Sequence, residues 1–309
     1  MNRINFTQGR KVLSLIVSVV LLIVVFTVIA CGDEEQTIED VVTFTDPNLE
    51  ILIREVIGKP SGAIHLTDLQ EIIVLDADNR GITDIRGVEY YTSLTTLHLR
   101  NSPITDVSPM LTLSNLTDLW ISGTDISDIS FVSELTDLEM LWLFDSKVSD
   151  ISPLSKLTAL TSLNLSGNEL TDISPLADLT NLIDLSLGGN EITDFSVLSG
   201  LTGLQQLSLS GTHLTDISPL AELTDLWALY ISFSEISDIS PLVNLTKLRY
   251  LYLQHNQIVD ISPLVENNGL GMGDEVILED NPLSPESLDV HIPQLEERGV
   301  IVILVSQSG

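Results

Sequence analysis

Three things are scarce in this chain of 309 residues. Cysteine occurs once, at Cys31; this excludes an intrachain disulfide and any thiolate metal cluster. Aromatic residues make up only 5%, so the core must be built from Leu and Ile, and each Trp or Tyr becomes informative. Basic residues number 13 against 44 acidic ones, a formal net charge of −31. Nucleic-acid binding rests on basic patches, and this balance excludes it. The acidic excess reads as self-repulsion that keeps exposed faces soluble, and it also suits a basic partner.

Catalytic patterns are lacking too. The sequence holds no G-x-S-x-G, P-loop, H-E-x-x-H or G-x-G-x-x-G motif. Its histidines (His65, His98, His213, His255 and His291) are scattered, with no second histidine or cysteine three or four positions on. The expectation is a protein that is not an enzyme, with no cofactor and no metal site.

What is present begins with an export signal. Arg3, Arg10 and Lys11 precede an uncharged, predominantly apolar run over residues 12–30. That order is the signature of a secretory segment rather than of fold. The run closes on Val28-Ile29-Ala30-Cys31, which resembles a bacterial lipobox. The resemblance implies a lipoprotein signal peptide over 1–30 and lipidation of Cys31. The alternative is an uncleaved membrane-spanning helix, since the run is long enough to cross a bilayer. Either way the chain is tethered to a cell membrane or outer membrane, on the exported side in the periplasm or at the cell surface. Residues 31–40 read as an acidic tether.

The dominant feature is a repeat of 22 residues. Ile72, Leu94, Leu116, Leu138, Leu160, Leu182, Leu204, Leu226 and Leu248 follow one another at that spacing without insertion or deletion. Within a unit, Leu160, Leu163 and Leu165 point inward from a short strand. Asn168, Asn190, Asn256 and Asn281 then mark a turn that bonds to backbone of adjacent coils. Elsewhere Ser102, Thr124, Ser146, Thr212 and Ser234 offer a hydroxyl at that position, and Arg80 breaks the column.

An Asp column runs through Asp84, Asp106, Asp128, Asp150, Asp172, Asp194, Asp216, Asp238 and Asp260. In the setting Asp-Ile-Ser-Pro it reads as a cap for a tight helical turn. A Ca²⁺ ladder is the rival reading, but one carboxylate per coil lacks convergent ligands. Pro109, Pro153, Pro175, Pro219, Pro241 and Pro263 suit only a first turn, which predicts short 3₁₀ turns rather than full helices.

A period of this length and spacing is the signature of leucine-rich repeats, which stack into a solenoid. The expected fold is α/β: a curved parallel sheet on the concave face, 3₁₀ turns on the convex face, and an N-terminal helical cap. The cap is placed at 41–70, with Asp46-Pro47 as N-cap and N1 of a helix stopped by Gly58 and Pro60. Repeats fill 71–282, about ten coils. A C-terminal cap follows over 283–309. Near that end Leu253 and Asn256 find their counterparts 25 residues on, at Leu278 and Asn281, and the extra residues fall in a Gly/Asn-rich loop over 267–273.

The repeat units, together with Asp46-Pro47-Asn48-Leu49 ahead of them, resemble the internalin-type leucine-rich repeat proteins of bacteria. The similarity covers about residues 40 to 283. It implies a cell-surface scaffold that binds through its concave sheet and does not name a ligand. The 309 residues contain no LPxTG motif and no match to the immunoglobulin-like domain that often follows internalin repeats. Host-cell invasion is therefore not part of the expectation.

Residues between the inward leucines face the concave surface. His98, Trp120, Met140, Trp142 and Phe144 fall in one patch, and Tyr230, Tyr250 and Tyr252 in a second, with Ser, Asn and Gly between them. These are the candidate ligand-binding residues, because clustered Trp and Tyr dominate binding hot spots. Cross-strand pairing that merely stiffens the sheet is the competing account. The expected partner is a protein, with glycan binding or a purely structural surface role as alternatives, and the chain is expected to be a monomer.

Overall fold

The computed structural model describes residues 40–304. Cys31, the apolar run and all of the tether but Asp40 lie outside the described residues. Among those described, no helix is long and apolar enough to cross a membrane.

The N-terminal cap begins with β1 (Val41–Val42), then α1 (Pro47–Val56), β2 (Ile64–His65) and a single turn, α2 (Leu66–Leu69); β1 and β2 pair antiparallel. Asp46 starts α1 by accepting from Asn48 N at 2.8 Å and Leu49 N at 3.2 Å. The same buried carboxylate accepts from Thr83 N at 2.7 Å and Thr83 Oγ1 at 2.9 Å. One side chain thus caps the helix and fastens it to the first coil. Burial works against its charge, but the Thr83, Leu49 and Asn48 bonds prevail and hold its pKa below the usual carboxylate value. Arg80, which breaks the Asn column, pairs with Glu55 of α1 at 3.1 Å.

Eleven short strands then form one sheet. They are β3 (Val74–Asp76), β4 (Thr96–His98), β5 (Asp118–Trp120), β6 (Met140–Trp142), β7 (Ser162–Asn164), β8 (Asp184–Ser186), β9 (Gln206–Ser208), β10 (Ala228–Tyr230), β11 (Tyr250–Tyr252), β12 (Glu275–Ile277) and β13 (Ile301–Ile303). Their spatial order is their chain order, and every pair is parallel. The register is that of the repeat: Leu97 lies opposite Leu119, and Leu119 opposite Leu141. The inward Leu of β3 to β11 and Val276 of β12 are buried, Val302 of β13 is partly so, and the residues flanking them turn to the other face.

The turn opposite the sheet follows from apolar spacing. Ile151, Leu154, Leu157 and Leu160 recur every third residue and are all buried. A period of three matches the 3₁₀ helix and not the α-helix. The chain accordingly forms 3₁₀ turns such as Ser108–Thr112, Ser152–Lys156 and Ser174–Leu176. Each Asp of the column accepts from the backbone N–H two residues on, as Asp172 does from Ser174 at 2.8 Å and Asp238 from Ser240 at 2.8 Å. For Asp128, Asp150, Asp194, Asp216 and Asp260 that backbone bond is the first cause of a lowered pKa. The column is a set of caps.

The Asn column stitches coil to coil. Asn168 Nδ2 donates to Leu143 O at 2.7 Å and Leu165 O at 2.9 Å, while its Oδ1 accepts from Val148 N at 3.0 Å. The hydroxyl substitutes do less: Thr212 Oγ1 reaches only Leu209 O, at 2.7 Å.

The C-terminal end departs from the simple expectation in two ways. The last turn of the series is α3 (Ser262–Glu266), an α-helix and not a 3₁₀ turn. The extra residues after it permit an additional bond, Asn267 N to Pro263 O at 3.0 Å. Asn267 itself is not a loop residue in character. It is fully buried, and its Nδ2 donates to Leu242 O at 2.8 Å and Leu245 O at 3.2 Å. The chain passes so close to the preceding coil at Gly269 that a Cβ there would sit 1.9 Å from Thr246 O. A π-helical turn (Ser287–His291), α4 (Ile292–Glu297) and β13 complete the cap.

Candidate binding face

The outer face of the sheet carries the residues that differ between coils. His98, Trp120 and Trp142 occupy one position on β4, β5 and β6, so the strand register brings their rings together. His98 and Trp120 stack with centroids 3.9 Å apart and planes 8° from parallel, and Trp120 and Trp142 stack at 4.4 Å and 6°. Phe144 meets Trp142 edge-on at 6.5 Å. Trp120 Nε1 donates to Met140 Sδ at 3.3 Å, and Trp142 Nε1 to Ser162 Oγ at 3.3 Å. All five residues of the first predicted patch therefore form one half-buried body.

This patch contains charges that the aromatic pattern did not reveal. The Arg100 guanidinium carbon lies 4.5 Å from the Trp120 ring centroid, within cation–π range. The same guanidinium pairs with Asp78 at 2.6 Å, and His98 Nε2 lies 3.4 Å from Asp118. Asp76, Asp78 and His98 bring ligand-capable atoms within 4.8 Å of one another. They come from neighbouring strands, so no local spacing announces them. Arg100 already serves as counter-ion to Asp78, and the group acts as an ion-pair network beside the indoles.

The second patch is arranged differently. Tyr230 and Tyr252 are neighbours on β10 and β11, with centroids 5.0 Å apart and planes at 89°. Tyr250 is 40% exposed. Trp227, just before β10, meets Tyr250 edge-on at 5.9 Å and extends the patch; it lies outside the columns from which the candidates were taken. Tyr252 bonds the Glu275 carboxylate, and burial followed by that bond raises its phenol pKa. Ala228, the small residue between Gln206 and Tyr250 in its column, is fully buried.

Phe233 is a further residue not among the candidates. The positions aligned with it are Asn79, Asn101, Gly123, Asp145, Gly167, Gly189, Gly211, His255 and Asp280, and all have positive φ. Gly, Asn and Asp tolerate that conformation; Phe at φ 52° is strained there. The ring is 60% exposed and stacks on His255 at 4.1 Å and 18°. A bulky apolar residue in a column otherwise made of Gly, Asn, Asp and one His is the sequence signal that would have found it. Between the patches, β7 to β9 carry Ser162, Asn164, Asp184, Ser186, Gln206 and Ser208. From β6 to β10 is four strand spacings, about 19 Å. The eight predicted side chains thus form two groups and not one.

Comparison with known proteins agrees with this architecture. The family model for leucine-rich repeats, taken two copies at a time, matches residues 92–134, 114–156, 136–178, 158–200, 180–222 and 228–266. A crystal structure of an internalin from Listeria monocytogenes is 31% identical, covering 89% of this chain and 95% of that one, with a TM-score of 0.62. The chain belongs to the internalin-type leucine-rich repeat proteins. Internalin C2 of the same species is 35% identical over 69% of this chain and 94% of that one, with a TM-score of 0.65. The repeat ectodomain of a plant membrane receptor kinase from Arabidopsis thaliana, solved with Casparian strip integrity factor 2, shares the fold at 20% identity and a TM-score of 0.61; the match covers 75% of this chain and 30% of that one. No curated protein sequence matches the chain.

Proposed function

We propose that this chain is an exported, membrane-anchored scaffold that binds a protein partner through the sheet face and takes part in adhesion at the cell surface. One observation carries the binding part. The sequence has three Trp and five Tyr, and Trp120, Trp142, Tyr230, Tyr250 and Tyr252 all stand on one face of one sheet. Packing of a core does not require this, because Leu and Ile already fill it. Large amphipathic rings on a rigid platform are what binding hot spots use. The same shape of scaffold holds a partner in the plant receptor complex.

Ring geometry favours protein over sugar. A sugar ring stacks on a free aromatic face, and His98 and Trp142 cover both faces of Trp120. With those faces covered and the indole N–H groups bonded to Met140 and Ser162, the stack suits contact with a protein surface better than with a sugar ring.

The membrane part rests on the sequence: basic Arg3, Arg10 and Lys11, the apolar run, and its closure on Cys31. Acyl chains on Cys31 would anchor the chain, since more than one chain is needed for stable attachment. Palmitate labelling of the full chain and its Cys31→Ser variant tests this; equal labelling of both would refute it.

The binding test is a double substitution, Trp120→Ala with Trp142→Ala, in the full chain. Proteins captured from the native community by the unaltered chain are expected to be lost from the variant, while its circular dichroism stays that of a folded solenoid. A folded double variant that captures the same proteins would sink the proposal. Unimpaired growth and attachment with every face substitution would favour a structural role instead.

A further inference from the structure

A sugar needs an uncovered ring face, and Trp227 supplies what the indole stack lacks. It stands immediately before β10, half-buried on the flank of the sheet. Among the described residues its ring contact is edge-on, with Tyr250 at 71°, and no ring stacks upon it. Its Nε1 has no hydrogen-bond partner among those residues. Trp120 and Trp142 differ on both counts: they stack on each other, and their N–H groups donate to Met140 and Ser162.

Trp227 lies in a cleft of about 510 Å³, together with Gln205, Asp225, Thr246, Lys247 and Arg249. That size is ordinary for a small-ligand pocket. The repeat builds the cleft. Gln205, Trp227 and Arg249 hold one position in successive coils, with Trp227 N donating to Gln205 O at 2.9 Å and Arg249 N to Trp227 O at 2.8 Å. From Gln205 to Arg249 is two strand spacings, about 10 Å. Elsewhere in this column Thr117 and Thr161 spend their hydroxyls on carbonyls of the preceding coil.

The polar groups around Trp227 are not spent in this way. Gln205 and Thr246 are exposed, and neither side chain has a hydrogen-bond partner among the described residues. Arg249 commits only Nη1, to the buried carboxylate of Asp274 at 2.8 Å; this orients a guanidinium whose side chain is 63% exposed. Arg54, Arg86, Arg100 and Arg298 each commit two or more nitrogens. Lys247 pairs with Asp225 at the surface, where ion pairs are weak and readily exchanged. Each cation is balanced by an aspartate. The cleft therefore offers donors and acceptors without net charge. Hydroxyls, which both donate and accept, match that set, and the negative face of an indole attracts the C–H groups of a sugar ring.

We infer that Trp227, with Gln205, Asp225, Thr246, Lys247 and Arg249, forms a second binding site, which takes a neutral sugar ring. The inference goes beyond the protein-binding reading and does not depend on it.

The test is saturation-transfer NMR on the full chain, in a detergent without a sugar headgroup. The probes are the methyl glycosides of glucose, galactose, mannose and N-acetylglucosamine. At least one is expected to bind, with transfer strongest to the C–H protons of one ring face. Trp227→Ala should weaken that glycoside by about tenfold, and Gln205→Ala by about threefold. Lys147→Ala breaks an exposed pair of the same kind, with Asp125, at a place without an indole, and should change affinity less than about twofold. Failure of all four glycosides to bind overturns the inference, as does binding that Trp227→Ala leaves intact. Binding of acetylated tetraglutamate in place of the glycosides also overturns it, and makes the cleft an anion site for a protein partner. Should Trp227→Ala fail to fold by circular dichroism, Gln205→Ala and Arg249→Ala decide, and unchanged affinity in both overturns the site. Protein capture that depends on Trp120 and Trp142 is a separate readout, so the two readings fail separately.

Discussion

The indole end and the tyrosine end of the sheet grow from the same columns of the same repeat, yet they are physically opposite. At the indole end each ring covers its neighbour, at 3.9 and 4.4 Å, and Arg100 and His98 attend the acids. At the tyrosine end the rings meet at 89°, Tyr250 is 40% exposed, and Asp184 feels burial alone. One end is cohesive before any partner arrives. The other leaves its rings edge-on and Asp184 with no basic partner among the described residues. Aromatic content alone does not make two patches equivalent; what occupies the ring faces and who neutralises the charges decides.

The largest expected effect separates the two ends by stability. Trp142→Ala removes two ring contacts and a hydrogen bond, and should lower the unfolding free energy by about 2–3 kcal/mol in urea titration. Tyr252→Ala removes one edge-to-face contact from a more open site and should lower it by about 1 kcal/mol. Equal losses would erase the distinction between a packed end and an open one.

A smaller effect of opposite sign is expected at the rim. Phe233→Gly relieves a positive φ and should raise stability by about 1 kcal/mol, measured by the same titration. A clear loss of stability would show that the stack on His255 holds the fold and is not kept for a surface role.

The smallest effect is a pH dependence with two signs. The capping aspartates Asp128, Asp150, Asp194, Asp216 and Asp260 have folded pKa values below their unfolded ones. Their contribution is present above the unfolded value, near 3.9, and is lost as pH falls through the folded values. Asp184 is raised, so its contribution is present below the unfolded value and is lost as pH rises through the folded one. Melting temperature should therefore fall below about pH 4. Asp184→Asn should melt slightly higher than the unaltered chain at pH 7, with the difference vanishing in acid. A variant that melts lower at pH 7 would mean that Asp184 has a partner in the folded chain.

Much of this was legible in the sequence. The column of Leu97, Leu119 and Leu141 names the core, the Asp-Ile-Ser-Pro units name the caps, and Asp46-Pro47 names the start of the helix. Each of these is a local rule repeated, so one correct reading carries to every coil. The content of the two patches was legible for the same reason, because a fixed register places Trp120 beside Trp142 and Tyr230 beside Tyr252. Arg100 over Trp120, the meeting of Asp76 and Asp78 with His98, and the burial of Asn267 were not. They depend on where long side chains turn once their neighbours are in place, and periodicity carries no information about rotamers.

The sequence by itself determined the backbone: the period, the parallel register, the 3₁₀ turns dictated by apolar residues three apart, and which side chains leave the core. A repeat fixes Cβ positions because every coil is held by its neighbours through the same bonds. Tertiary structure alone decided what those side chains do at the surface. Stacking, edge-on contact and charge pairing involve two or three coils at once, and at this level the nearly identical repeats become an indole end whose rings lie parallel and a tyrosine end whose rings meet at right angles.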